Sequence, residues 1–135
     1  MVVEGRPVSS ALLIRRMDDL PAQYLRGIEL FNAGRFFESH EAWEEIWLES
    51  EGAERELLHA MIQSAAALHH FQRGNLKGAS SVYRRARSRL ATLPGNILLL
   101  DTRDFADQIG RFFDAVLNRQ DPIPSLPKVR LLDKQ

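Results

Sequence analysis

Apolar residues recur along most of this chain at spacings of three and four, the pattern of amphipathic helices and not of strands. Pro21 suits a first helical turn, and Tyr24, Leu25, Ile28 and Phe31 follow at helical spacing until Asn32–Ala33–Gly34 stops the run. A second helix is predicted from about Phe36 to Leu48, and a third from about Ala53 to Arg73, ended by Gly74. Asn75 is placed to cap a fourth, whose apolar stripe is Ala79, Val82, Tyr83, Ala86 and Leu90. Pro94–Gly95–Asn96 breaks the chain; Thr102 is the expected cap of a fifth helix carrying Phe105, Ile109, Phe112, Phe113 and Val116 on one face. Pro122, Pro124 and Pro127 make the segment from Asp121 non-helical and extended. The expected fold is all-α: a compact bundle of about five helices built from antiparallel hairpins. A partly disordered N-terminal arm (1–20) precedes the bundle domain (21–120), and an extended tail (121–135) follows it.

There is an internal echo. Phe31–Asn32–Ala33–Gly34 followed by a helix recurs as Phe71–Gln72–Arg73–Gly74 followed by a helix, and in the same register Phe36 matches Leu76, Trp43 matches Tyr83 and Ile46 matches Ala86. Repeated helix pairs build tetratricopeptide-like arrays, but two copies fall short of the three or so a solenoid needs. A bundle of helical hairpins is the reading that fits.

Composition narrows the function classes. The 135 residues hold 18 basic and 18 acidic side chains, a formal balance of zero, which argues against bulk nucleic-acid binding. There is no cysteine, so thiolate chemistry and disulfides are excluded, in keeping with a reducing cytoplasm. The longest apolar runs, Ala65–Leu68 and Ile97–Leu100, are far short of a membrane span, and Ala11–Ile14 has its arginines after it, unlike a signal peptide.

The second helix places a histidine where an apolar residue belongs. At 100° per residue, Phe36, Trp43 and Trp47 share a narrow stripe that contains His40. Glu44 lies at its edge one turn on, a neighbour of His40, and Glu41 is intermediate. Glu38, Glu45 and Glu49 take the solvated side. A carboxylate partly buried beside tryptophans has to be paired or protonated, and His40 is at hand. Either the pair is structural and fixes helix packing, or His40, Glu41 and Glu44 supply metal ligands or acid–base groups. His-Glu-x-x-Glu is not the His-Glu-x-x-His of zinc proteases. Nor do two helices each carry Glu-x-x-His, as ferritin-like di-iron centres require.

The third helix is apolar over more than half its surface through Leu57, Leu58, Met61, Ile62, Ala65, Leu68 and Phe71, which predicts a central position. Its remaining face aligns His59, Gln63, Ala66 and His70, with His69 pointing elsewhere. Packed on the preceding helix, this stripe is expected to meet His40 and Glu44, giving a cluster of His40, Glu44, Gln63 and His70 with Glu41 nearby. The alternative is that the stripe faces solvent.

Phe31-Asn-Ala-Gly, then His40-Glu-Ala-Trp-Glu-Glu-Ile-Trp47, then Ile62-Gln63 and His70-Phe-Gln-Arg-Gly-Asn-Leu-Lys-Gly-Ala79 resemble the small helical proteins of domain-of-unknown-function family 309. The similarity spans roughly residues 21–93. It implies an all-α bundle and singles out Asn32, Gly34, His40, Glu41, Glu44, Trp47, Gln63, His70, Arg73, Asn75, Gly78 and Ala79. It implies no activity or cofactor.

Two functional readings follow. One is a ligand- or partner-binding module, for a small molecule or a protein, in which Trp43, Trp47, Gln63, Arg73 and Asn75 shape a pocket or network around the His/Glu cluster. The other is a metal-dependent hydrolase in which His40, Glu41, Glu44 and His70 hold one zinc, manganese or iron ion and an open position activates water. Arg84, Arg85, Arg87 and Arg89 read as a solvated face balanced by the acidic helix, and nucleic acid is the disfavoured partner. Oligomeric state is left open.

Overall fold

The computed structural model describes residues 2–3, 6–7 and 17–132. Much of the N-terminal arm, for which disorder was expected, lies outside these residues. Within them, strands β1 (Val2–Val3) and β2 (Arg6–Pro7) pair antiparallel, and a 3-10 turn at Met17–Asp19 leads into the helices. Five α-helices follow: α1 (Ala22–Asn32), α2 (Phe36–Trp47), α3 (Gly52–Gln72), α4 (Leu76–Leu90) and α5 (Thr102–Leu117). Between α4 and α5, β3 (Asn96–Ile97) pairs antiparallel with β4 (Leu100–Asp101). Among the described residues no helix is long and apolar enough to cross a membrane.

The helix ends follow local chemistry. Gly34 and Gly74 adopt φ of +80° and +77°, where a side chain would be strained. Each closes a Schellman motif: Arg35 N donates to Leu30 O and Gly34 N to Phe31 O, and Asn75 N to His70 O and Gly74 N to Phe71 O. The two turns of the sequence echo are thus the same structure, and Gln72 Nε2 joins them by donating to Gly34 O at 3.0 Å. The echo is not exact. Phe36 is buried, whereas its counterpart Leu76 is exposed. Asn75 caps α4, its Oδ1 accepting from Gly78 N at 2.9 Å. The cap of α5 lies one residue earlier than expected. Asp101 accepts from Asp104 N, and Thr102 enters the helix and gives its hydroxyl to Pro94 O.

Helix α3 is central, packed between α2 and α4, and Leu57, Leu58, Met61, Ala65 and Leu68 leave no more than 1% of their surface exposed. α1 and α5 cover one side of this three-helix layer. Phe31 of α1 contacts Phe36 and Trp43 of α2 and Phe105 of α5, with ring centroids 5.0–5.8 Å apart. Phe112 and Phe113 of α5 reach Phe71 and Tyr83. The closest approach is at Gly27, where the Trp43 indole lies directly on the α1 backbone and its Nε1 donates to Tyr24 O at 3.1 Å.

The apolar run Ile97–Leu100 forms a tight hairpin. Leu98 and Leu99 occupy its two turn positions at φ +52° and +59°, the left-handed geometry of a type I′ turn that usually selects Asn-Gly. Burial of all four side chains offsets the strain, and the Tyr24 hydroxyl donates to Leu98 O.

The non-helical segment after residue 120 is fastened to the bundle by two side-chain amides. Asn32 Nδ2 donates to Val129 O (2.9 Å) while its Oδ1 accepts from Val129 N (2.8 Å). Gln108 treats Lys128 in the same way, at 2.9 Å for both bonds. Lys128 Nζ also donates to Asn32 O, placing a cation at the α1 C-terminus. Val129 is buried, and Leu131 bridges to Leu100.

Candidate functional site

With α1 and α5 behind, the opposite face of the α2–α3–α4 layer is open. On α2 it presents Phe37, His40, Glu44 and Trp47, spaced by three and four residues so that they fall on one side. The helices run antiparallel, so Trp47 meets the start of α3 and Phe37 its end. The Trp47 and His59 rings lie 5.0 Å apart, and Phe37 lies 5.3 Å from His69. Phe37 also stacks on His40 at 6.1 Å with an interplanar angle of 23°. The result is a seam with an aromatic ring at each end and imidazoles between.

Several groups fix its geometry. The Arg55 guanidinium sits 4.4 Å above the Trp47 ring, and its Nη1 donates to Trp47 O and Ser50 O, satisfying carbonyls at the end of α2. His40 Nε2 lies 3.5 Å from Glu44 Oε2, with side chains 25% and 48% exposed. His40 Nδ1 and Trp47 Nε1 are buried without a hydrogen-bond partner among the described residues. Burial, reinforced by Arg73, His70 and His40, holds the pKa of His69 below the ordinary imidazole value. Burial followed by the Arg89 and Arg55 charges does the same to His59, against a partial pull from Glu56. Both imidazoles are therefore neutral near pH 7.

The sequence-predicted residues divide between this seam and other places. His40, Glu44 and Trp47 lie on it. Glu44, at the edge of the apolar stripe, is half exposed, and Glu41 is exposed altogether. Trp43 is fully buried in the core, its indole bonded to Tyr24 O. Gln63 turns to α4, where its Oε1 accepts from Arg89 Nε at 3.3 Å. His70 Nδ1 accepts from Asn75 Nδ2 at 3.2 Å, beside the α3–α4 turn. Arg73 is exposed. The expected joint cluster of His40, Glu44, Gln63 and His70 is thus divided between two helix seams. The polar stripe of α3 runs along the boundary between its two neighbours and does not point at α2 alone, and it is His69, one residue earlier, that comes to Phe37. Among the described residues no group of three or more His, Asp or Glu side chains is arranged to hold a metal ion. One Glu-x-x-His spacing occurs, Glu56–His59, but Glu56 is engaged by the Arg89 guanidinium and His59 by Trp47.

Sequence reasoning gave no site role to Phe37 or Arg55, turned His69 away from the stripe and left Arg89 on a solvated face. Phe37 carried a signal: an aromatic at a position the periodicity assigns to solvent. Arg89 carried none, since in a run of four arginines nothing marks the one that turns inward. With Glu56, Gln63, Arg85, Ser88 and Thr92 it lines a shallow groove that continues the open face onto α4.

The model of the family described as "Domain of unknown function (DUF309)" matches residues 24–82, from α1 into α4. A solved structure, that of a conserved hypothetical protein from Thermus thermophilus, is 35% identical and superposes with a TM-score of 0.62 over 99% of its own length and 71% of this chain. The chain belongs to the DUF309 family. An uncharacterised protein of Aquifex aeolicus is 33% identical over 67 residues, 49% of this chain. The chain spans about a fifth of the length of that curated relative. The DUF309 match contains both glycine turns, all of α2 and α3, and therefore the whole seam; the leucine hairpin, α5 and the fastened segment lie beyond it.

Proposed function

We propose that this DUF309 protein is a docking module that takes a partner polypeptide on the open face around Phe37, His40, Glu44 and Trp47. The observation that carries the reading is Phe37. Its ring is 49% exposed, held by His40 and His69, with Leu48 69% exposed on the same flank of α2. An apolar centre with aromatic and arginine neighbours and a charged rim is the make-up of an interface whose energy is concentrated in a few residues. Hydroxyl-radical footprinting tests it. Phe37 and Leu48 should be oxidised readily in dilute purified protein and be protected in a concentrated extract of the source cells. Equal reactivity in both would refute docking.

A further inference from the structure

The open face is divided by charge. α2 carries Glu38, Glu41, Glu44 and Glu45 and no lysine or arginine; α4 carries Lys77, Arg84, Arg85, Arg87 and Arg89 and no acidic residue. α3 separates the two. We propose that the partner is a second copy of this chain, packed face to face about a two-fold axis that runs along α3, so that each α2 lies on the other copy's α4. This rests on the docking reading above and names its occupant.

The choice of axis follows from the charges. A closed homodimer needs a self-complementary face. A two-fold axis lying in the interface across the helices would set each acidic α2 on its own copy and each basic α4 likewise, a repulsive arrangement. The axis along α3 exchanges the flanks and pairs opposite signs twice. It also leaves height along α3 unchanged, so the charges must already be level, and they are. α2 is registered on α3 by Trp47 at His59 and Phe37 at His69. α4 is registered by Arg89 at Gln63 and Asn75 at His70. Glu41 and Glu44 on one side and Arg85 on the other therefore stand opposite the same middle stretch of α3. Between them α3 offers Ala66, small enough for the two copies of α3 to approach, and Phe37 and Leu48 supply apolar surface on the acidic flank.

Sedimentation equilibrium of the purified chain gives the test. A dimer of the 15.4 kDa chain is expected at about 50 mM salt, weakening at about 500 mM, where exposed charges are screened. Glu44→Arg alone and Arg85→Glu alone should each weaken it at least about tenfold, because symmetry places the like-charge pair twice. Mixing the two variants should restore a heterodimer, in which every pair is again opposite in sign. Circular dichroism confirms that both surface variants fold. A monomer up to about millimolar protein at low salt, a dimer indifferent to both substitutions, or a mixture that stays monomeric would each overturn the proposal. If the chain is monomeric while Phe37 remains protected in extract, the partner is another protein and docking stands. If protection is also missing, both fall.

Discussion

Replacing Gly27 by alanine adds one carbon where the structure has no room for it. A Cβ built there lies 2.1 Å from Trp43 Nε1, 2.4 Å from Cδ1 and 2.6 Å from Cε2. The indole cannot step aside, since Trp43 is fully buried and packed on Phe31 at 5.7 Å. Either α1 moves off α2 or the ring rotates. Overpacking of this kind costs about 1–3 kcal/mol. Either response also breaks the Nε1 bond to Tyr24 O and leaves a buried N–H unpaired, a further cost of about 1–3 kcal/mol. Against this, alanine in place of a helical glycine gains about 1 kcal/mol. The balance is a loss of about 3 kcal/mol, which for a chain of this size lowers Tm by about 10 °C. Urea denaturation followed by tryptophan fluorescence measures it, with an unchanged slope required for a clean comparison. Gly110→Ala is the control. The nearest atom to a Cβ there is Tyr83 Oη at 3.9 Å, an ordinary contact, so that variant should gain about 0.5–1 kcal/mol. If Gly27→Ala were as stable as the parent, or both glycines responded alike, the close approach of α1 and α2 would be refuted.

Three more expectations follow from the same structure. Asn32→Ala removes both bonds to Val129 and should cost about 1–3 kcal/mol; hydrogen exchange at the Val129 amide should accelerate, and unchanged protection there would contradict the bracket. Arg119 follows α5 at φ +55° with the bonding of a glycine turn, so Arg119→Gly should stabilise by about 0.5–1 kcal/mol in thermal melts, and a loss would show that the arginine side chain contributes more than its backbone strain costs. His59 and His69 have folded pKa values below the unfolded reference of 6.5; the unfolded state then binds more protons, so stability is held above that value and lost as pH falls below it. His69→Gln should flatten the fall in urea midpoint between about pH 7.5 and 5, and an unaltered slope would remove His69 from the account.

The helices were legible because the apolar period of α5 is strong, α3 is a long segment apolar over most of its surface, and the glycine turns are local. Gly34 and Gly74 stop their helices by backbone preference alone, which a single sequence displays. The α5 cap was misplaced by one residue because Asp101 and Thr102 are both good caps, and what decides between them is Thr102's bond to Pro94, a contact with the turn. The site was legible on one helix and not across two. Spacing put His40, Glu44 and Trp47 on one flank of α2. Whether His69 or His70 faces them depends on how α3 is rotated between two neighbours, about 100° for one residue, and no periodicity within α3 fixes that. The brackets at Asn32 and Gln108 were invisible for a similar reason: amide side chains bonded to backbone 97 and 20 residues away leave no local trace.

Those brackets have a consequence for synthesis. α1 leaves the ribosome long before residues 128 and 129, yet the polar groups at its end wait for them. Closing so long a loop comes late and slowly. Until residue 129 has emerged, the nascent bundle keeps an unsealed end, where the cradle for Val129 stands empty beside the leucine hairpin. A translation product cut short before that point would leave the end of α1 without these partners.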